Sequence, residues 1–316
     1  FIKYLIKKYP QVKIYNIDKL TYASNISFLE RLESNPNYKF IEGDICNQLL
    51  VKNIFEDFNI DGVINFAAET HVDNSIQNPT PFIHTNINGT YNLLKQCYNF
   101  WMDSPKQTKK MYSHARFHQI STDEIYGSII NGSFDENSPY NPSSPYSASK
   151  ASADMLTKSF NTTFGLNTTI SICSNNFGPN QNTEKFIPKI ISSLIKGIEI
   201  PIYGDGKNIR DWLFVLDHCE AIDKIFNDSK NGETFNIASG YEINNIELVY
   251  KIISLINEKI NFNHENIKFV EDRFGHDKRY SINKDKIYKE LGWKPKYKFD
   301  KEIKSYIKQI LNNEEI

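Results

Sequence analysis

The chain lacks the glycine-rich turn its other features call for. It has 316 residues and 14 glycines, yet no G-x-x-G-x-x-G spacing occurs anywhere. P-loop, H-E-x-x-H and G-x-S-x-G patterns are absent too. The chain therefore offers no Walker-type phosphate cradle, helical zinc pair or nucleophile elbow. Its four cysteines, Cys46, Cys97, Cys173 and Cys219, form no C-x-x-C pair, which predicts reduced, mostly buried thiols in a cytoplasmic protein. His114 and His118 have no third ligand at a usable spacing, so no metal is predicted. A net charge of −1 argues against a general nucleic-acid binder. Mean hydropathy is −0.50, and no apolar run approaches the roughly 18 residues of a membrane span. No charged-then-apolar leader opens the chain, which predicts that it is not exported. Phe1–Tyr9 has helical spacing without a start signal, so the sequence predicts a chain that begins inside its first helix.

What is present is an alternation of short apolar strands and amphipathic helices. Strands are predicted at 12–17, 38–41, 62–68, 117–121 and 168–172. Helices are predicted at 26–33, 47–58, 79–101 and 145–164, with a long loop over 122–144. This order implies an α/β fold, a doubly wound parallel sheet of Rossmann type. After residue 172 the pattern turns irregular. Helices are expected at 184–196, 216–227, 244–257, 283–290 and 300–312, and strands at 200–203, 212–214 and 267–270. The division is a dinucleotide-binding domain over 1–172 and a smaller substrate lobe over 173–316, partly interleaved with the sheet.

Asp18 and Asp44 each close a predicted strand. Singly, each fits an ordinary turn. At successive strand ends of a doubly wound sheet they suit the ribose and adenine of NAD. Ala67 and Ala68 leave room for a cofactor at the end of the next strand, although tight packing alone would also select them. Tyr146-Ser147-Ala148-Ser149-Lys150 places a phenol and an ammonium one helical turn apart on one face. The cation favours the phenolate, so Tyr146 can remove a hydroxyl proton while a nicotinamide takes a hydride. Ser121-Thr122-Asp123-Glu124 precedes it. Two adjacent acids fit a solvated loop when taken alone. Beside such a tyrosine they suggest a second proton transfer, the acid and base needed to eliminate water. Arg210 and Arg273 suit a diphosphate because guanidinium forks match phosphate oxygens, although each alone fits a surface ion pair.

Several segments together resemble the extended short-chain dehydrogenase/reductase superfamily, and within it the nucleotide-diphosphate-glucose 4,6-dehydratases of the dTDP-glucose type. The matching text includes Tyr15 to Ala23, Glu42-Gly43-Asp44-Ile45, Phe66 to Asp73, Ser121 to Gly127, Tyr146 to Lys150, Ser174 to Pro179, Glu184 to Pro188, Tyr203 to Gly206 and Arg210-Asp211-Trp212. The Thr-Asp-Glu triplet separates the dehydratases from their sister 4-epimerases. The resemblance implies that Asp18, Lys19, Leu20, Thr21, Asp44, Ile45, Ala67, Ala68, Thr85, Tyr146, Lys150 and Asn176 line NAD. It implies that Thr70, Thr122, Asn175, Glu184, Lys185, Tyr203, Arg210 and Arg273 hold the nucleotide sugar. Catalysis falls to Thr122, Asp123, Glu124, Tyr146 and Lys150, and the active form is a homodimer paired through helices 79–101 and 145–164. Thr70 stands where serine is frequent, and Asn182-Thr183 precedes Glu184 where an aromatic or histidine and a proline are usual. A 4-epimerase, or a non-catalytic nucleotide-sugar or NAD binder on the same fold, are the alternative readings.

Overall fold

The computed structural model describes residues 1–256 and 266–312. In chain order the first elements are α1 (Ile2–Lys8), β1 (Ile14–Asp18), a 3-10 helix (Ile26–Leu32), β2 (Tyr38–Glu42), α2 (Gln48–Phe58), β3 (Gly62–Asn65), α3 (Val72–Gln77) and α4 (Thr80–Phe82). A π-helical segment (Ile83–Gly89) then leads into α5 (Thr90–Trp101), the short β4 (Met102–Ser104) and β5 (Gln107–Thr108), and β6 (Arg116–Thr122). A 3-10 turn (Asp123–Tyr126) follows, then α6 (Pro145–Phe164), β7 (Thr168–Cys173) and β8 (Asn175–Phe177). The remainder is α7 (Phe186–Lys196), β9 (Ile200–Tyr203), β10 (Ile209–Phe214), α8 (Val215–Asp228), β11 (Thr234–Ile237), β12 (Glu242–Asn244), α9 (Asn245–Ile256), β13 (Ile267–Val270), α10 (Asp285–Leu291) and α11 (Phe299–Leu311). Among the described residues no helix is long and apolar enough to cross a membrane.

Two compact units emerge. The first comprises residues 1–125, 144–172 and 222–235. Its strands form a parallel β1-β2 pair and a four-stranded sheet of order β11-β7-β6-β3, in which β3 runs parallel to β6. An apolar cluster of Val51, Phe55, Leu93, Leu94, Cys97, Trp101, Phe117 and Leu166 packs α2 and α5 against strand residues. The second unit comprises 126–143, 173–221 and 236–316. Its core gathers Ile187, Ile190, Ile191 and Leu194 of α7, Leu248, Val249, Ile252 and Ile253 of α9, and Ile303, Ile307 and Ile310 of α11. These recur at three- and four-residue intervals, the signature of one buried helix face.

The structure corrects several sequence boundaries. The strand predicted to reach Ala68 stops at Asn65, and Ala67 and Ala68 lie in the loop beyond it. The single helix predicted over 79–101 is broken into α, π and α pieces, because a wide turn intervenes at 83–89. The helix predicted from Glu184 begins at Phe186, since Lys185 has the extended backbone of an N-cap. The first strand begins at Ile14, and β10 begins at Ile209, three residues before its predicted start. The loop expected from 122 opens with a helical turn. Strands β8, β11 and β12, read as irregular, are three or four residues each. The predicted end of the helix 244–257 lies outside the described residues.

Candidate active site

α6 matches its predicted span because its two ends are chemically marked. Ser144 is the N-cap, Pro145 fills the first helical position, and Gly165 closes the helix in the left-handed conformation at φ 73. A side chain at Gly165 would meet the Lys106 backbone at 2.9 Å. Ser144 and Ser147 each accept the other's backbone N–H at 3.1 Å, a reciprocal capping box. This anchors the turn that carries Tyr146. Tyr146 and Lys150 are both buried. Lys150 Nζ donates to the Ile120 carbonyl at 2.6 Å. One residue further along β6, the Ser121 hydroxyl donates to Asp154 Oδ2 at 2.5 Å. α6 is thereby pinned to the carboxyl end of β6, where Thr122, Asp123 and Glu124 follow.

Thr122 ends β6, and Asp123 and Glu124 begin the 3-10 turn. Thr122 and Asp123 are buried and Glu124 is half-buried. The Thr122 hydroxyl lies 3.4 Å from Asp123 Oδ1 and accepts the Glu124 N–H at 3.4 Å. The turn ends at Gly127, at φ 77, where a Cβ would come within 2.4 Å of the Asn141 carbonyl. Only glycine accommodates that approach.

Residues read as cofactor-lining gather at the strand ends of the first unit. Asp18 Oδ1 accepts the Leu20 N–H and the Ser24 hydroxyl, both at 2.8 Å. Its Oδ2 takes part in neither bond, so an acceptor remains for a diol. This fits the ribose of NAD on an observed carboxylate. Leu20 adopts φ 55, folding Lys19 back so that its ammonium meets Asp44 at 2.7 Å. Burial works to raise the Asp44 carboxyl, but the Lys19 and Cys46 bonds outweigh it and hold it below its ordinary value. Thr21 follows in the same loop, and Ile45 is buried with its carbonyl accepting from Asn92 at 2.6 Å. Asp44, Cys46 and His84 offer ligand atoms within 4.8 Å of one another. The Asp44 carboxylate is already ion-paired with Lys19, and burial pushes the Cys46 thiol up to about 12.

Asn86, missed by sequence reading, organises the middle of the site. It sits fully buried in the π segment, one residue after Thr85. Its Oδ1 accepts the Glu69 N–H at 2.8 Å, and its Nδ2 donates to the Glu69 carbonyl at 3.1 Å and to Ser149 Oγ at 2.8 Å. The stretch holding Ala67, Ala68 and Thr70 is thus tied to α6 one residue before Lys150. A π turn inside a helix frequently marks such sites; that the run 83–89 reads as ordinary helix in sequence explains the omission. Asp154 was also unmarked, because a helical aspartate reads as surface.

In the second unit, Arg210, Arg273 and Tyr203 converge on a histidine. The Arg273 guanidinium lies 4.5 Å from the Tyr203 ring centroid, and Arg210 lies 4.0 Å from that of Tyr280. Arg210 also donates to the Ile209 and Asp277 carbonyls at 2.8 and 2.9 Å. His276 packs edge-on to Tyr203 and bonds Asp272 at 2.6 Å. Burial, then the charges of Arg210 and Arg273, hold its imidazole below the ordinary value despite Asp272. Asn175 and Asn176 lie on β8, where Asn176 Oδ1 meets His218 Nδ1 at 2.9 Å. Glu184 has its amide on Asn182 Oδ1 at 2.9 Å and its carboxylate 3.5 Å from Lys185.

A doubly wound α/β unit with acidic strand ends and a Tyr-x-x-x-Lys helix docked beside an acidic turn defines an extended short-chain dehydrogenase/reductase. The chain belongs to the GDP-mannose 4,6 dehydratase family, whose model matches residues 1–306. A dTDP-glucose 4,6-dehydratase of Haemophilus influenzae is 44% identical, the match covering 99% of this chain and 94% of the relative. Among solved structures, the dTDP-glucose 4,6-dehydratase of Bacillus anthracis in complex with NAD superposes with a TM-score of 0.86 at 38% identity, covering 99% of this chain and 92% of that one. The Streptomyces venezuelae dTDP-glucose 4,6-dehydratase, also crystallised with NAD bound, gives 0.90 at 35% identity with the same coverage.

Proposed function

We propose that this chain is an NAD-dependent nucleotide-diphosphate-glucose 4,6-dehydratase, a hydro-lyase that forms a 4-keto-6-deoxyglucose nucleotide. The observation that carries this reading is the docking of α6 on the end of β6, with a Tyr–Lys pair on one element and an acid pair directly following the other. Bound NAD supplies the hydride acceptor for C4 and later the donor for C6. Tyr146 takes the proton of the C4 hydroxyl, while Thr122 bonds the same oxygen. The resulting 4-ketone acidifies the C5 proton, which Glu124 removes. Asp123, kept neutral, protonates the departing C6 hydroxyl, which leaves as water, and once C6 has received the hydride C5 is reprotonated. Two adjacent carboxyls disfavour double ionisation, which separates them into acid and base.

Asp18 to Thr21, Asp44, Ile45, Ala67, Ala68, Thr85, Tyr146, Lys150 and Asn176 are assigned to the cofactor. Thr70, Thr122, Asn175, Glu184, Lys185, Tyr203, Arg210 and Arg273 are assigned to the sugar nucleotide, the two arginines to its diphosphate. A homodimer is proposed as the working form. Ile83, Tyr91 and Met155, on the two helical stretches that would pair, are exposed apolar side chains, which supports it. None of the four cysteines forms a disulfide, which suits a reducing compartment, and we assign the protein to the cytoplasm.

The test is incubation of the full chain with NAD and dTDP- or UDP-glucose, followed by alkali. The strong near-ultraviolet absorbance of a 4-keto sugar is expected. Recovery of a 4-epimer without that absorbance would overturn the assignment in favour of an epimerase, and tight NAD binding without turnover would favour a sensor.

A further inference from the structure

α6 carries another charged side chain on the face that holds Tyr146 and Lys150. Asp154 follows Lys150 by one turn and Tyr146 by two, so the three fall in one row. It is wholly buried. Its Oδ2 accepts the Ser121 hydroxyl at 2.5 Å, and its Oδ1 makes no hydrogen bond among the described residues. Ile120 takes the Lys150 ammonium at 2.6 Å. Adjacent residues of β6 thus grip adjacent turns of α6, and the next residue of β6 is Thr122.

A buried carboxylate with one oxygen left without a hydrogen bond is costly to hold there. The charges that act on it are Lys150 and Lys158, both on its own helix. Around it, β6 turns its other titratable groups elsewhere. Arg116 donates to the carbonyls of Ile225, Phe226 and Ser229, and His118 bonds Thr169 and Ser171. The helices packed against α6 carry Asp73 on α3, His84 on the π segment, and Tyr91, Lys95, Cys97 and Tyr98 on α5.

We propose that Asp154 is a positioning residue for the Tyr146–Lys150 pair: through Ser121 it sets the register of α6 on the end of β6, and its charge moderates the pull of the Lys150 ammonium on the phenol. This rests on the assignment of Tyr146 as the base. Lys150 favours the phenolate, and a carboxylate behind Lys150 opposes it. Burial, against the Ser121 bond and the two lysine charges, raises the Asp154 carboxyl to about 6. It is therefore ionised where the enzyme is expected to work, and removing its charge makes Tyr146 easier to ionise.

The experiment compares the pH dependence of kcat/KM, with dTDP-glucose, of the NAD-loaded full chain and its Asp154→Asn variant. Asparagine can still accept from Ser121. The acid limb is expected to move to lower pH by about 0.5–1 unit, the size of a charge effect across a dozen or so ångström at intermediate dielectric. Ser121→Ala removes a bond that favours the ionised carboxyl and is expected to move the limb the same way by less, and it covers the case in which the asparagine variant does not fold. A uniform loss of kcat with the limb at its parental position, or a limb displaced to higher pH, would overturn the proposal and leave a purely structural aspartate. Tyr146→Phe run alongside separates this from the parent reading, because a phenylalanine variant that still turns over removes Tyr146 as base whatever Asp154 does.

Discussion

Replacing Asn86 by alanine tests whether the π segment holds the strand-end loop to the catalytic helix. Its side chain makes three hydrogen bonds, two to the Glu69 backbone and one to Ser149 Oγ, at 2.8, 3.1 and 2.8 Å. Each is worth about 1 kcal/mol net, and leaving buried partners unmet adds to the loss. The expected destabilisation is about 3–4 kcal/mol, which for a unit of this size lowers Tm by roughly 6–16 °C. Ser149 still donates to the Tyr146 carbonyl at 2.7 Å, so α6 itself should survive, and the loosened part is the loop through Ala67 and Ala68. Calorimetry of the variant with and without NAD reads both effects: the melting transition falls, and the stabilisation conferred by saturating NAD shrinks because the loop must first be ordered. A variant within 2 °C of the parent and stabilised equally by NAD would refute the reasoning.

Further outcomes follow from the same geometry. Asp123→Asn is expected to lower kcat by about 10²–10⁴-fold, the usual worth of a general acid, while C4 oxidation continues, so single-turnover experiments should show reduced cofactor accumulating; parental product formation would refute the acid role. His218 is wholly buried, and burial holds its imidazole down at about 3. With the folded value below the unfolded one, the neutral form contributes stability above about pH 6.5 that is lost as pH falls toward 3, up to roughly 5 kcal/mol. Melting temperatures of His218→Gln should therefore depend less steeply on pH over that window than those of the parent, and equal slopes would refute the assignment. Arg273→Ala is expected to raise KM for the sugar nucleotide at least tenfold with little change in the NAD requirement, read by steady-state kinetics.

How far the sequence carried these conclusions depended on whether local chemistry marked each feature. α6 was legible to its ends because a serine cap, a proline and a glycine each act within one turn. The acids Asp18 and Asp44 were legible because each closes a run of apolar residues. The wide turn at 83–89 was not, since its residues read as an ordinary helix and only packing of Asn86 against Glu69 and Ser149 reveals its role. β8 and β11 were missed because strands of three and four residues carry too little alternation to stand out from irregular chain. Asp154 escaped because nothing local distinguishes a buried aspartate from a solvated one; its partner, Ser121, lies 33 residues away in sequence.

The capping box at the start of α6 has a consequence for the phenol beside it. In most boxes of this kind the third helical residue is glutamate or glutamine. Here Ser147 does the same work with a neutral hydroxyl, at a position adjoining Tyr146 in sequence. A glutamate at this buried position would add an anion to the same helical turn as a phenol that must itself become anionic, opposing Lys150. The helix start is thus sealed without any electrostatic penalty on proton removal.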